Sequence, residues 1–314
     1  MSRVVCILPK AGLGNQLFPL LNALVFGKLN DLPVTIIGYH HLKIGPYLRK
    51  EKIKRRYRGY FRFQKSVLGE AYDSFLSKRA IKNNNCVYEP DLLCYEKEEI
   101  RDKVFVFEKL PTYHDYFIHL KPHRNLVKLL LKENLNSWVF EEIEKLELPI
   151  IGMHIRMGDF RKLRQGEDFA RVGHVRTPEH YFVAVVNQIR SISGIQLPVS
   201  LFTDGYRNEF EEVFSLTPIK MIEGNADIVD LLLLSKSKVI ITANGSTFSY
   251  WAGFLSDAPI IKHPDHLYAD FRPADINRAV YEGPLLPLEI NELLRTNLQQ
   301  VKQNYISLHP QGAA

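Results

Sequence analysis

The sequence predicts an α/β protein of two domains, and three observations carry that prediction. At 314 residues, 46% of them hydrophobic, the chain is long enough for two domains of ordinary size with a core in each. Its first forty residues read as strand, Gly-rich loop, helix and strand. Beyond Pro149, short apolar runs alternate with amphipathic segments, the pattern of parallel strands joined by crossover helices.

In chain order, the apolar run over 4–8 predicts the first strand, and Lys10-Ala11-Gly12-Leu13-Gly14-Asn15-Gln16 the loop after it. Leu17, Leu20, Leu21, Leu24 and Val25 at helical spacing predict a helix over 17–29, and 33–38 a second strand. Glycines between strand and helix let the backbone approach a ligand and present helix-start amides to an anion. The dinucleotide fingerprint is incomplete, because its third glycine and the acid ending the second strand are missing. Residues 40–80 are basic and aromatic, with few regular elements. Between residues 49 and 62, eight Lys or Arg face one acid, Glu51, and interleave with Tyr57, Tyr60 and Phe61. Such a stretch stacks bases or sugar rings, lies on anionic lipid, or is a solvated insertion. A strand over 104–107 and a long helix over 122–146 complete a first domain, 1–148.

The second domain, 149–285, opens on Ile150-Ile151-Gly152-Met153-His154-Ile155-Arg156-Met157-Gly158-Asp159-Phe160. An apolar run that breaks into His, Arg, Gly and Asp reads as a buried strand ending at the carboxyl edge of a sheet, where open α/β sheets bind ligands. A guanidinium fixed there presents a fork to paired phosphate oxygens; the plain alternative is that His154 and Arg156 pair with Asp159 inside the fold. A polar loop over 158–176 follows, and Thr177-Pro178-Glu179 reads as an N-cap and helix start. Strands are predicted over 199–202, 219–222, 239–242 and 259–261, and helices from Glu179 to about residue 192 and over 208–214, 226–234 and 247–255. A last helix lies within a tail, 286–314.

Several residues at these strand ends could carry chemistry. Ser246 and Thr247 stand where a strand hands over to a helix, as an anion site or as simple caps, with Arg156 a few strands away on the same edge. Asp204 ends another strand, where a carboxylate suits the N1–H and N2–H donors of guanine or caps the next helix. Asp227 and Asp230 are expected at a helix start and on the surface. Cys6, Cys86 and Cys94 show no CxxC spacing, so a reducing compartment and no structural zinc are expected, and His263-Pro264-Asp265-His266 is not a metal loop. The start of the chain lacks an export signal and no stretch approaches a membrane span, which predicts a cytoplasmic protein. Net charge of +6 allows a polyanion, an anionic membrane surface or a phosphorylated small molecule as partner.

Three stretches resemble the α-1,2-fucosyltransferases, family 11 of the glycosyltransferases, and more distantly the wider fucosyltransferase group. They are Gly12-Leu13-Gly14-Asn15-Gln16-Leu17-Phe18, His154-Ile155-Arg156-Met157-Gly158-Asp159, and Ser246-Thr247-Phe248-Ser249-Tyr250-Trp251-Ala252, in the family's order across nearly the whole chain. Leu110-Pro111-Thr112-Tyr113-His114-Asp115-Tyr116-Phe117 also looks like the stretch preceding the central motif. The resemblance implies a GT-B fold, two Rossmann-like domains facing across a cleft, with GDP-β-L-fucose held by the second and the acceptor between them. Carried over by position, Arg156 holds the pyrophosphate, His154 and Asp204 lie near guanosine, and Ser246, Thr247 and Phe248 line the phosphate pocket. Gly14 and Asn15 approach fucose from the first domain. The chain departs from the family at Met157, where a second Arg is usual, and at Gly245, where Asn is usual.

What this implies is an inverting, metal-independent transfer of fucose to the 2-hydroxyl of a galactoside in surface glycan or oligosaccharide synthesis, with no cofactor. Arg156 and Asp159 are the candidate catalytic residues, Asp159 being the nearest carboxylate and more readily a brace for the loop than a base. Alternatives are another linkage, another GDP-sugar, or a GDP-sugar-binding protein without turnover. Nucleic acid is not the expected partner, and residues 49–62 are assigned to peripheral contact with an anionic membrane.

Overall fold

The computed structural model describes residues 2–41, 45–48, 52, 57–111, 114–173, 175–265, 268–286 and 291–309. The chain forms two compact units, one of Met1–Ile44 with Arg55–Glu141 and one of Gly45–Lys54 with Glu142–Ala314.

The first unit is a parallel sheet in the order β2-β1-β4-β3, made of β1 (Arg3–Ile7), β2 (Val34–Ile37), β3 (Asn85–Tyr88) and β4 (Lys103–Phe107). α1 (Leu13–Leu29) crosses from β1 to β2 and is buried almost all round, which fits its run of Leu, Phe and Val. It begins four residues before the predicted start, so Gly14 and Asn15 lie in its first turn. Gly12 at the N-cap has no side chain to offer, and the Leu13 N–H donates instead to the Tyr57 hydroxyl at 2.8 Å. Pro19, lacking an N–H, cannot close the helical bond to the Asn15 carbonyl.

The basic and aromatic stretch departs from expectation. Tyr57, Tyr60 and Phe61 are buried, the first two in ring contact at 5.8 Å. The predicted helix over 122–146 is broken at Leu135 into α3 (Arg124–Asn134) and α4 (Ser137–Glu144), because the stretch pairs into the gap. Arg62 N–H donates to Asn134 O, and Asn136 N–H to Tyr60 O. These rings are core anchors and are withdrawn from any base, sugar or lipid; residues 49–51 and 53–56 lie outside the described residues. A helix the sequence did not announce, α2 (Val67–Asn83), follows, capped by Ser66.

The second unit is a parallel sheet in the order β10-β9-β8-β5-β6-β7. The strands are β5 (Ile151–Ile155), β6 (Val199–Thr203), β7 (Ile219–Met221), β8 (Val239–Ile241), β9 (Ile260–Lys262) and β10 (Glu282–Pro284). From β5 the chain builds outward through β6 and β7, then returns to lay β8 on the other side of β5 and builds away through β9 and β10. The order therefore reverses between β5 and β8, the topological switch point of a Rossmann-like sheet. Crossovers are α5 (Glu179–Ser193), α6 (Asp227–Ser235) and α7 (Thr247–Leu255). The predicted helix over 208–214 is only two 3₁₀ turns, Arg207–Glu209 and Val213–Ser215. α8 (Glu292–Leu308) packs on α5 and sends Leu294, Leu298 and Val301 into this unit's core. Two Rossmann-like α/β units of this kind are what a GT-B protein is made of. Among the described residues no helix is long and apolar enough to cross a membrane.

Candidate active site

Register builds the centre of the site. Ile155 of β5 stands opposite Thr203 of β6, so the residues next in each chain, Arg156 and Asp204, leave the sheet side by side. The Asp204 carboxylate is almost fully buried; one oxygen accepts from Arg156 Nη1 and the other from the Met157 N–H at 2.7 Å. Arg156 Nη2 donates to Asp159, four-fifths of the Arg156 side chain being out of solvent. A guanidinium held by two carboxylates has lost its rotamer freedom before any ligand arrives.

On the other side of the switch point, β8 delivers Asn244 and Gly245 to the start of α7. Gly245 has a φ of +73°, which an L side chain rarely adopts. The turn is clamped by two hydroxyls: Asn244 N–H donates to Thr177 Oγ1 at 3.1 Å, and Gly245 N–H to the buried Tyr250 hydroxyl. Thr177 is thus spent on this turn, and Pro178, not Thr177, stands at the N-cap of α5. Ser246 is buried at the N-cap of α7, yet its hydroxyl does not cap the helix. β8 is the immediate neighbour of β5, so this turn lies next to Arg156's strand rather than a few strands away. The Phe160 ring joins the two sides, 5.7 Å from the Arg156 guanidinium and 3.6 Å from where a Gly245 Cβ would stand.

His154 is buried at the end of β5 and stacks on Phe248 of α7, ring centroids 5.0 Å apart. Burial lowers its pKa to about 3; Asp204 pulls the other way and Arg156 adds to the depression. The imidazole is neutral, and its Nδ1 is buried without a hydrogen-bond partner, as is Asn244 Oδ1. Unsatisfied buried polar atoms at a sheet's ligand-binding edge are atoms that a ligand can satisfy.

Two readings from the sequence change here. The sequence reads Asp204 as facing guanine or as capping the next helix; Tyr206, not Asp204, stands at the start of the next 3₁₀ turn, and the Asp204 oxygens accept from Arg156 and Met157. Met157 itself is core: its side chain packs so closely over Gly205 that a Cβ on Gly205 would lie 2.6 Å from Met157 Cγ. The position that usually carries a second Arg therefore points inward in this chain. Asp230, read as a surface residue, is half-buried in the first turn of α6, on the carboxyl edge after β7. Burial raises its carboxyl pKa to about 7, Asp227 adding to the rise, while Asn225 and Lys52 oppose it; one oxygen accepts from Asn225 at 2.9 Å. The loop over 158–176 consumes much of its own charge, Arg161 with Glu167 and Arg176 with Glu209. In the first unit, Gly14 is buried and Asn15 half-buried at the start of α1. Among the described residues no group of three His, Cys, Asp or Glu is gathered as a metal ion would need.

Residues 6–270 match the family model described as Glycosyl transferase family 11. The chain belongs to that family. Three solved structures give the family member's more distant likenesses. NodZ, a fucosyltransferase from Bradyrhizobium, is 14% identical over 84% of this chain and 96% of its own, with a TM-score of 0.49. POFUT1 in complex with GDP is 13% identical over 83% and 98%, TM-score 0.45. A mutant of Arabidopsis thaliana FUT1 with GDP is 11% identical over 83% and 70%, TM-score 0.45. No protein of curated function matches the chain.

Proposed function

We propose that this family 11 glycosyltransferase moves L-fucose from GDP-β-L-fucose to the 2-hydroxyl of a terminal galactoside, with inversion and without a metal. The observation that supports the reading is Arg156, fixed by Asp204 and Asp159 at the switch point beside the start of α7. When the bond from fucose C1 to the β-phosphate oxygen breaks, its electron pair stays on that oxygen and the sugar gains oxocarbenium character. Arg156 and the first amides of α7 stabilise the developing charge without reorganising. The acceptor oxygen attacks the opposite face, converting β to α, and its proton leaves to a base. Asp159 and Asp204 act as positioning residues for Arg156, and Ser246, Thr247 and Phe248 line the phosphate side.

The base of the nucleotide is assigned to Asp230 and His154. Asp204 already braces Arg156 and the Met157 N–H, whereas Asp230 offers a carboxylate on the same edge that burial has made costly to ionise and that adjacent N–H donors would relieve. The unpartnered Nδ1 of the neutral His154 completes that side. Gly14 and Asn15 are assigned to the sugar end.

The test is turnover of GDP-fucose with lactose or N-acetyllactosamine in EDTA, for wild type and Arg156→Ala. Transfer to the galactose 2-hydroxyl that survives EDTA and collapses in the variant supports the reading. GDP binding with transfer elsewhere gives another linkage, and absence of GDP binding refutes it.

A further inference from the structure

α2 is built inside out. Of its seventeen residues the fully buried ones are Glu70 and Ser77, while Leu68 is 83% exposed, Tyr72 64%, Phe75 62% and Val67 57%. Leu68, Tyr72 and Phe75 recur at i, i+4 and i+7 and so share one face. The helix is fastened from its inner side by a polar anchor. The Glu70 carboxylate accepts from the N–H groups of Gly38, Tyr39 and His40 and contacts His40 Nδ1 at 2.7 Å. Ala80 and Ile81 pack against the sheet residues Val5, Ile37, Val104 and Val106. A surface helix ordinarily turns such side chains toward the core. Here a rigid mount presents them outward.

The charge around that face has one sign. Arg62, Lys65, Lys78, Arg79 and Lys82 are exposed. Of the helix's two acids, Glu70 is buried in its amide nest and Asp73 is paired with Lys65 at 2.7 Å. An apolar stripe flanked by cations and bearing a Tyr is the composition of a helix that lies in the interface of an anionic bilayer. A second copy suits it less, since a two-fold contact would bring together two faces of the same sign, with α2's own acids already taken up, Glu70 in its amide nest and Asp73 by Lys65.

We infer that the outward face of α2 seats the protein on an anionic lipid surface. Leu68, Tyr72 and Phe75 enter the headgroup boundary, and Lys78, Arg79 and Lys82 meet lipid phosphates. This membrane contact is a different one from residues 49–62, and it does not depend on which sugar is transferred.

Flotation of the full chain with phosphatidylcholine vesicles, with and without phosphatidylglycerol, tests it. Binding is expected only with the anionic lipid. Leu68→Ser and Phe75→Ser should each weaken it roughly tenfold, and Lys78→Gln and Arg79→Gln roughly fivefold each. The melting temperature should be unchanged in all four, which certifies that they fold. Absence of flotation with anionic vesicles overturns the inference, as does flotation unaffected by these substitutions. Concentration-dependent self-association, seen by sedimentation and lost in Leu68→Ser, would give the face to a second copy instead.

Discussion

Asp204→Asn separates charge from geometry at the proposed donor site. The substitution keeps the shape, and the amide oxygen can still accept the Met157 N–H, but Arg156 Nη1 then faces an amide instead of a carboxylate. Losing one charge-assisted bond at a guanidinium with residual solvent contact costs about 2 kcal/mol of stability. That lowers the melting temperature by roughly 4–8 °C for a unit of this size. For the nucleotide, two effects oppose. Removing a negative charge gains roughly 2 kcal/mol for a phosphate if the two stand about 8 Å apart at an effective dielectric of about 20. Freeing an Arg rotamer costs up to about 2 kcal/mol. GDP affinity should therefore change by less than about tenfold in either direction. Turnover has no such offset, because transition-state stabilisation needs the guanidinium at the leaving oxygen, and a loss of about 10²-fold in kcat is expected. Calorimetry with GDP and steady-state kinetics read the two quantities. If GDP affinity fell by about 10²-fold while kcat stayed unchanged, Arg156 would bind donor and transition state alike, and the preorganisation argument would be wrong. Unchanged turnover with unchanged affinity would refute it equally.

Further predictions follow from neighbouring contacts. Because the raised Asp230 pKa leaves a proton on the folded chain that the unfolded chain has released, stability falls as pH climbs from the ordinary carboxylate range to about 7. Over pH 6–8 the ionised acceptor becomes available and GDP affinity rises by up to about tenfold; calorimetry on Asp230→Asn should show both slopes flattened. His154 stays neutral throughout that range, so His154→Gln should shift the level of a pH–rate profile and leave its inflections in place. Met157→Arg forces a charge into the packed space over Gly205 and should cost about 3 kcal/mol or more in denaturant titration, with no gain in GDP affinity. Thr177→Val orphans the Asn244 N–H, costing about 1–3 kcal/mol, and should loosen GDP binding.

Much of the second unit is legible in the sequence because its signals are local. An apolar run broken by His154 and Arg156 marks the end of β5, and Ser246 before an apolar helical pattern marks α7. Strand order is not local, so the adjacency of β5 and β8, which brings the strand of Arg156 beside the one leading to Ser246, appears only in the sheet. Asp230 looked like surface because periodicity does not report depth at a helix start. Met157 follows Arg156 in the motif, yet it turns into the core while its neighbour turns out. The first unit misleads for the opposite reason. α2 was missed because its apolar stripe and its burial lie on opposite faces, and Tyr57, Tyr60 and Phe61 looked exposed because they stand among arginines. Thr177 has the residue type of a cap and is used elsewhere, a choice made by the β8 turn 67 residues away in the chain.

The placement of β8 beside β5 also sets a clock for biogenesis. The guanidinium side of the proposed anion site is synthesised with Arg156, but its other wall, from Asn244 through α7, emerges only after α5, α6 and the intervening strands. At ordinary elongation rates that interval is roughly 5–20 s. During it Arg156 and Asp204 can already pair across β5 and β6, while an incomplete chain lacks the turn before α7 to which the proposal assigns the nucleotide phosphates. Acquisition of GDP binding by ribosome-bound chains of increasing length would therefore mark the moment at which the sheet closes on its central strand.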